Sequence, residues 1–246
     1  LQKGDRQYVQ AKQQYKEALE GTQNPRQRGQ ILNRLGALAI QSGQNIEAAQ
    51  LLEQALQFAQ TAGDLTEQGS ILRNLSISYQ QRGDYQTSFN FLQQAALLFE
   101  QMGVRALEAE SLAEMAATQN ALGNRELAIF YYKQAVQVIE ARRRELTLTF
   151  PKKADRRLAN TDVRIFTPIY RRLAEMLLAD DRLSEAQQTL DLLKVQELDS
   201  YLRTVEGTEI TEKGIEPLPA EQPILVNYET LRNQAIALGK ELFNRS

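Results

Sequence analysis

Cysteine and histidine are both missing from this chain of 246 residues. Without cysteine there is no disulfide and no thiolate nucleophile. Without histidine there is no imidazole base, and the two absences together remove every His/Cys zinc site. Carboxylate-only hydrolysis and Ser/Lys chemistry stay formally open. A Gly-rich phosphate loop, a metal-ligand cluster and a calcium loop are also absent, so neither metal nor cofactor is expected. No apolar run reaches the roughly 18 residues of a membrane-spanning helix, and no signal peptide is recognisable. Lack of cysteine suits reducing and oxidising compartments alike, which leaves a cytoplasmic setting as the default expectation. The formal charge of −2 is too small to imply a polyanionic or acidic partner for the whole molecule. The chain opens on Leu1, inside a helical pattern, and reads as a fragment of a longer protein.

What the chain does have is a repeat. Gly43, Gly83 and Gly123 are spaced 40 residues apart, and similar segments follow them: GQNIEAAQLLEQAL, GDYQTSFNFLQQAA and GNRELAIFYYKQAV. Self-similarity at a fixed period of this size marks a repeat architecture, whose core grows one unit at a time. Each unit reads as two amphipathic helices. In the clearest unit the first runs roughly from Glu67 to Gln81, with Ile71, Leu72, Leu75 and Tyr79 on one face. Arg82-Gly83-Asp84 ends it, glycine suiting the left-handed C-terminal position. The second helix carries Tyr85, Phe89, Leu92, Ala95, Ala96 and Phe99 and stops at Gln101-Met102-Gly103. Small residues recur in register: Gly36, Ser76 and Ala116 in the first helices; Ala48, Ser88 and Ala128, then Ala55, Ala95 and Ala135, in the second. Leu52, Leu92 and Tyr132 are the large residues beside them, the alternation that interdigitated packing requires.

Two further units are imperfect. Tyr8, Ala11, Tyr15 and Ala18 match a second helix without its partner. Near the other end, Ala174 and Ala186 repeat the spacing of Gly36 and Ala48. About 18 extra residues separate this hairpin from the repeats, around Arg143 to Asn160, and the helix from Arg125 is expected to overrun into the charged stretch 140–145. The organisation expected is therefore a repeat array over 1–141, an insertion and final hairpin over 142–205, a polar Gly/Pro-containing linker over 206–223, and a last amphipathic helix over 224–246. Leu225, Tyr228, Leu231, Ala235, Leu238 and Leu242 form the stripe of that helix. It either caps the array or docks onto a further domain.

The residues Leu75 and Tyr79, then Ser88, Leu92 and Ala95, resemble the small–large–small signature of the tetratricopeptide repeat. The resemblance covers Tyr8 to about Arg203. These units are about six residues longer than the usual 34; they lack the bulky aromatic early in the first helix and the proline that closes the repeat. The resemblance implies an all-α fold, a right-handed superhelical solenoid of helix-turn-helix units. A second resemblance covers YYKQAVQVIEARRREL and PIYRRLAEMLLADDRLSEAQQTLDLLKVQELDSYLR, which look like the segment preceding the CHAT domain in bacterial, cyanobacterial-type TPR–CHAT proteins. CHAT domains are caspase-like and use a His and a Cys, neither present here. On that resemblance this chain is the regulatory portion of a protease whose catalytic domain it lacks.

A solenoid offers a surface for a peptide or protein, and its first helices line the groove. The groove candidates are Gln30, Asn33, Arg34 and Ala37; Ser70, Arg73, Asn74 and Ile77; and Glu110, Ala113, Glu114 and Ala117. An Asn amide both donates and accepts, so Asn33 and Asn74 can clamp a peptide backbone. Arg34 and Arg73 can hold a carboxylate bidentately. The same pattern also fits solvated helix faces. A basic cluster runs from Arg142 to Arg172: Arg142, Arg143, Arg144, Lys152, Lys153, Arg156, Arg157, Arg164, Arg171 and Arg172, opposed only by Glu145, Asp155 and Asp162. It reads as an insertion paired with acidic helices, or as a surface for nucleic acid, an anionic lipid surface or an acidic partner. Its aromatics, Phe150, Phe166 and Tyr170, are too sparse for a base-stacking platform. Asp180-Asp181 falls at a turn and is read as turn chemistry, not as an acid/base pair. The expectation is a non-catalytic scaffold binding a protein or peptide, with a basic-patch adaptor as the alternative.

Overall fold

Helices begin at Pro25, Asn45, Leu65, Tyr85, Arg105 and Arg125, one every 20 residues. In the computed structural model the described residues, 3–149 and 160–204, are helical apart from short connections, with no strand among them. They form α1 (Lys3–Glu20), α2 (Pro25–Gln41), α3 (Asn45–Thr61), α4 (Leu65–Gln81), α5 (Tyr85–Gln101), α6 (Arg105–Ala121), α7 (Arg125–Thr149), α8 (Asn160–Ala179) and α9 (Leu183–Thr204). The chain divides into two compact units, Leu1–Ser200 and Tyr201–Ser246. The expected linker 206–223 and C-terminal helix 224–246 lie outside the described residues, as do Lys152, Lys153, Arg156 and Arg157.

The 20-residue step has a local cause. Gly43, Gly63, Gly83, Gly103 and Gly123 all take a left-handed conformation, with φ between 64° and 83°. At Gly43 the amide donates to the Ile40 carbonyl and the next amide, of Gln44, reaches back to Ala39 at 2.9 Å. This closes the helix with two reversed bonds, and the same pair recurs at the other four glycines. The residue after each glycine then opens the following helix. Asp64 and Asp84 do so with their side chains, accepting from the amides of Glu67 at 3.2 Å and Thr87 at 3.1 Å. One residue thus ends one helix and caps the next, so three residues suffice for each connection. The 40-residue repeat is two equal halves joined by the same turn, and the first helix of the clearest unit starts at Leu65, two residues before the expected Glu67. At the last hairpin Asp181 takes the glycine's place with φ 56°, a conformation aspartate tolerates better than most residues.

The small residues sit where helices touch. A Cβ on Gly36 would lie 2.5 Å from Cγ of Leu52, and one on Gly69 would lie 2.5 Å from Cζ of Phe99. Ala48, Ala55, Ala95, Ala116, Ala128 and Ala135 are fully buried between neighbouring helices. Leu52 and Leu92 are buried beside them, and Tyr132 nearly so. In α1 the expectation fails in part: Ala18 is exposed, and Leu19 is the residue packed on the core. The helix α7 does overrun, reaching 25 residues against 17 for each of α2 to α6. Just before the extension, α7 meets α8, where fully buried Tyr170 donates from its hydroxyl to Glu140 at 2.8 Å. Burial, then the Glu140 carboxylate, push the Tyr170 phenol far above its ordinary range. The final hairpin is pinned to α7 by Arg125, which reaches Asp180 at 2.5 Å and the Met176 carbonyl at 2.9 Å.

Candidate functional site

The first helix of each unit, α2, α4 and α6, presents one polar row. Its members come from successive turns of each helix, on the side away from the buried Leu32, Leu72 and Met115. Asn33 is 9% exposed. Its Nδ2 donates to Glu67 at 2.8 Å, and its Oδ1 accepts from Nδ2 of Asn74 at 2.7 Å. The two asparagines singled out from the sequence are therefore joined across neighbouring repeats. Glu67, near the start of α4, holds the far end of the chain of bonds. Among the described residues the Asn74 amide leaves its own oxygen and one N–H unused.

Arg73 lies beside Asn74 and reaches the next repeat. Its guanidinium meets Glu110 at 2.8 Å and Glu114 at 2.5 Å. Burial works against its charge, but bonds to Glu114 and then Glu110 outweigh that, and its pKa rises above the ordinary arginine value. The guanidinium that spacing offered to a ligand's carboxylate is occupied by the protein's own acids. The apparent mixture of signs along the face is likewise a set of internal pairs. Arg34 is different: it is exposed and makes no ion pair among the described residues. Gln30 and Ile77 are half-buried, and Ser70 bonds back to the Thr66 carbonyl at 3.0 Å. Ala37, Ala113 and Ala117 complete the row as small, partly open positions.

Three arginines of the basic cluster are engaged too. Arg143 meets Glu140 at 2.6 Å, Arg171 meets Glu197 at 3.5 Å and Arg172 meets Glu175 at 3.3 Å. Arg142 is half-buried, while Arg144 is exposed. Among the described residues no group of three or more acidic side chains is placed to hold a metal, and no helix is long and apolar enough to cross a membrane.

Two features escape a reading by helical face alone. Glu67 gives no signal of its own, because its partner Asn33 is 34 residues away. Glu108 is only 6% exposed, held by Arg105 at 3.2 Å. Burial raises its pKa above the ordinary glutamate value, partly offset by Arg105.

The tetratricopeptide repeat family model matches residues 27–101 and again 67–141. No curated protein matches. Several solved structures share the fold. BtubC (BKLC) from P. vanneervenii is 18% identical, with 87% of this chain and 77% of that one covered and a TM-score of 0.61. The nearly identical TPR-like repeats of a putative kinesin light chain from Podosopora anserina are 19% identical, with 80% and 90% covered and a TM-score of 0.55. A Rap protein complexed with Competence and Sporulation Factor is 13% identical, with a TM-score of 0.58 over 80% of this chain, but this chain covers only 51% of it. Residues 27–141 therefore carry tetratricopeptide repeats, and the described residues share the all-helical fold of these solved structures.

Proposed function

We propose that the chain is a non-catalytic scaffold that binds an extended peptide or a protein surface along the face of α2, α4 and α6. Tetratricopeptide arrays commonly serve protein–protein interaction, and the Rap protein of similar fold was solved with Competence and Sporulation Factor. The observation that carries the reading is the Glu67–Asn33–Asn74 chain. It fixes the Asn74 amide while leaving one donor and one acceptor free. A backbone peptide group presents the complementary pair, so a side chain held in advance binds it with little further ordering. Gln30 and Arg34 share the face of α2 that carries Asn33, and Ile77 shares the face of α4 that carries Asn74. Arg73, Glu110 and Glu114 support the face by fixing neighbouring repeats to each other, not by meeting ligand charge.

The resemblance of the C-terminal half to segments preceding CHAT domains supports a more specific role, as the sensor portion of a caspase-like protease encoded further along. The basic-patch alternative is disfavoured by the ion pairs of Arg143, Arg171 and Arg172.

The test is selection of phage-displayed 12-residue peptides on the chain, followed by fluorescence anisotropy of the recovered peptides. Sequence-diverse peptides that lose tenfold or more in affinity on Asn74→Ala, with unchanged thermal stability, support the face. Recovered peptides that all bind Asn74→Ala as well as the native chain refute it. Sequencing the transcript beyond Ser246 tests the protease link: an α/β segment with a His and a Cys supports it, and a stop codon ends it.

A further inference from the structure

A second surface opens on the opposite flank of α6. Glu108, Leu112 and Met115 lie about half a helical turn from Glu110 and Glu114. With α5 and α7 they line an open cleft of about 260 Å³, to which Gln93, Ala96, Leu97 and Tyr131 also contribute. The floor is apolar: Phe89, Leu92, Ala96 and Met115 form a small core cluster beneath it. Glu100 and Glu108 both reach this cleft. Glu100 is exposed and makes no ion pair among the described residues. Glu108 gives one oxygen to Arg105, and its other oxygen has no bond among the described residues. Two carboxylates beside an apolar hollow repel each other, which adds to the burial of Glu108 in raising its pKa.

The repeat register shows that this surface is particular to one place in the array. Leu97 is 53% exposed, yet Gln57 and Gln137 stand at the equivalent positions. Leu127 and Phe130 are 47% and 50% exposed. Their equivalents in the preceding repeats are Glu47 and Thr87, and Gln50 and Asn90. Three positions that are polar elsewhere are thus apolar and open here. The Phe130 ring stands 5.3 Å from that of Tyr131, which joins this patch to the cleft. Adjoining exposed apolar residues rimmed by charge mark an interaction surface.

We infer that this cleft is a second docking site, which takes the side chain of a lysine or arginine from an amphipathic segment of a partner protein, whose neighbouring apolar residue rests on Leu127 and Phe130. The chemistry is that of a long stem with a charged end. The methylenes lie against Leu97, Leu112 and Tyr131, and the cation meets Glu100 and the free oxygen of Glu108. An apolar side chain alone would cover Glu100 and the second oxygen of Glu108 with no donor to meet them, and an acidic one would add a third negative charge. The site is independent of the Asn74 face.

The same phage library separates the two. The chain is panned, and clones are tested by anisotropy on the native chain and on the Glu100→Lys and Asn74→Ala variants, with circular dichroism melts confirming that each variant folds. The expected result is a class of basic, apolar-flanked peptides that Glu100→Lys weakens tenfold or more and Asn74→Ala leaves unchanged. Replacing the central lysine of such a peptide by norleucine weakens it by a similar factor. The inference is overturned if no clone responds to Glu100→Lys, if norleucine binds as well as lysine, or if every clone is lost on Asn74→Ala. It is also overturned if sedimentation shows a dimer that Phe130→Ser dissociates, since a second copy then covers the patch.

Discussion

Gly69→Ala sets two known effects against each other at one atom. Alanine in place of glycine inside a helix ordinarily stabilises it by about 1 kcal/mol. Here the added Cβ would lie 2.5 Å from Cζ and 2.7 Å from Cε1 of Phe99, whose side chain is fully buried. With the ring shut off from solvent, helices α4 and α5 must part or the ring must leave its rotamer. Overpacking of this kind costs about 1–3 kcal/mol. The clash therefore outweighs the propensity gain, and the net expectation is a loss of up to about 2 kcal/mol. The next repeat shows the remedy, because its equivalent pair is Ala109 and Ile139, both buried. Phe99→Ile alone leaves a hollow against Gly69 and destabilises, by about 1–2 kcal/mol. Combined with Gly69→Ala it restores a pair the fold already accommodates. Urea unfolding of the two single variants and the double variant, followed by circular dichroism, gives the coupling. A value of about 1–3 kcal/mol in favour of the double variant is expected. If Gly69→Ala stabilises by the full helix-propensity amount and the cycle is additive, the close approach of α4 and α5 does not limit packing and the argument fails.

Two further outcomes follow from the same packing and charge. Ser88 is 1% exposed, its hydroxyl meets no protein partner, and alanine stands at the equivalent positions 48 and 128. Ser88→Ala should raise stability by about 1 kcal/mol, read from the denaturant midpoint at unchanged slope; a loss of stability would mean the hydroxyl is satisfied. Glu185 is held by Arg182 and then Lys133, which lower its pKa from 4.5 to about 2. A depressed carboxylate stabilises the fold above its unfolded value, and that contribution is lost as pH falls from about 4.5 to about 2. Thermal melts across this range should show a shallower acid-side decline for Glu185→Gln than for the native chain; identical slopes would refute the assignment.

Much of the architecture is written locally. The left-handed glycines, the aspartates after them and the 3.6-residue stripes all act within a turn or two of chain, so helix ends at Gln81 and Gln101 and the overrun of α7 are legible from neighbours in sequence. Even so, Gly63 and Gly103 make the same turn as the glycines that define the 40-residue period, and the 20-residue half-period shows only once their shared backbone conformation is seen. Gly69 against Phe99 is invisible for a different reason. Any small residue can follow a helix pattern, and only the crossing of two helices decides which one must be small.

The polar residues divide in the same way. Sequence alone placed Asn33, Asn74 and Arg73 on one face, since helical angle depends only on position. It could not say that Asn33 bonds Asn74 while Arg73 is taken by Glu110 and Glu114, because hydrogen bonds between residues 34 to 41 apart depend on how repeats stack. Composition and period thus determined an all-helical repeat fold without imidazole or thiol chemistry. Tertiary structure decided which charges are already spent inside it and which remain to meet a partner, because that depends on distances between helices that no local rule sets.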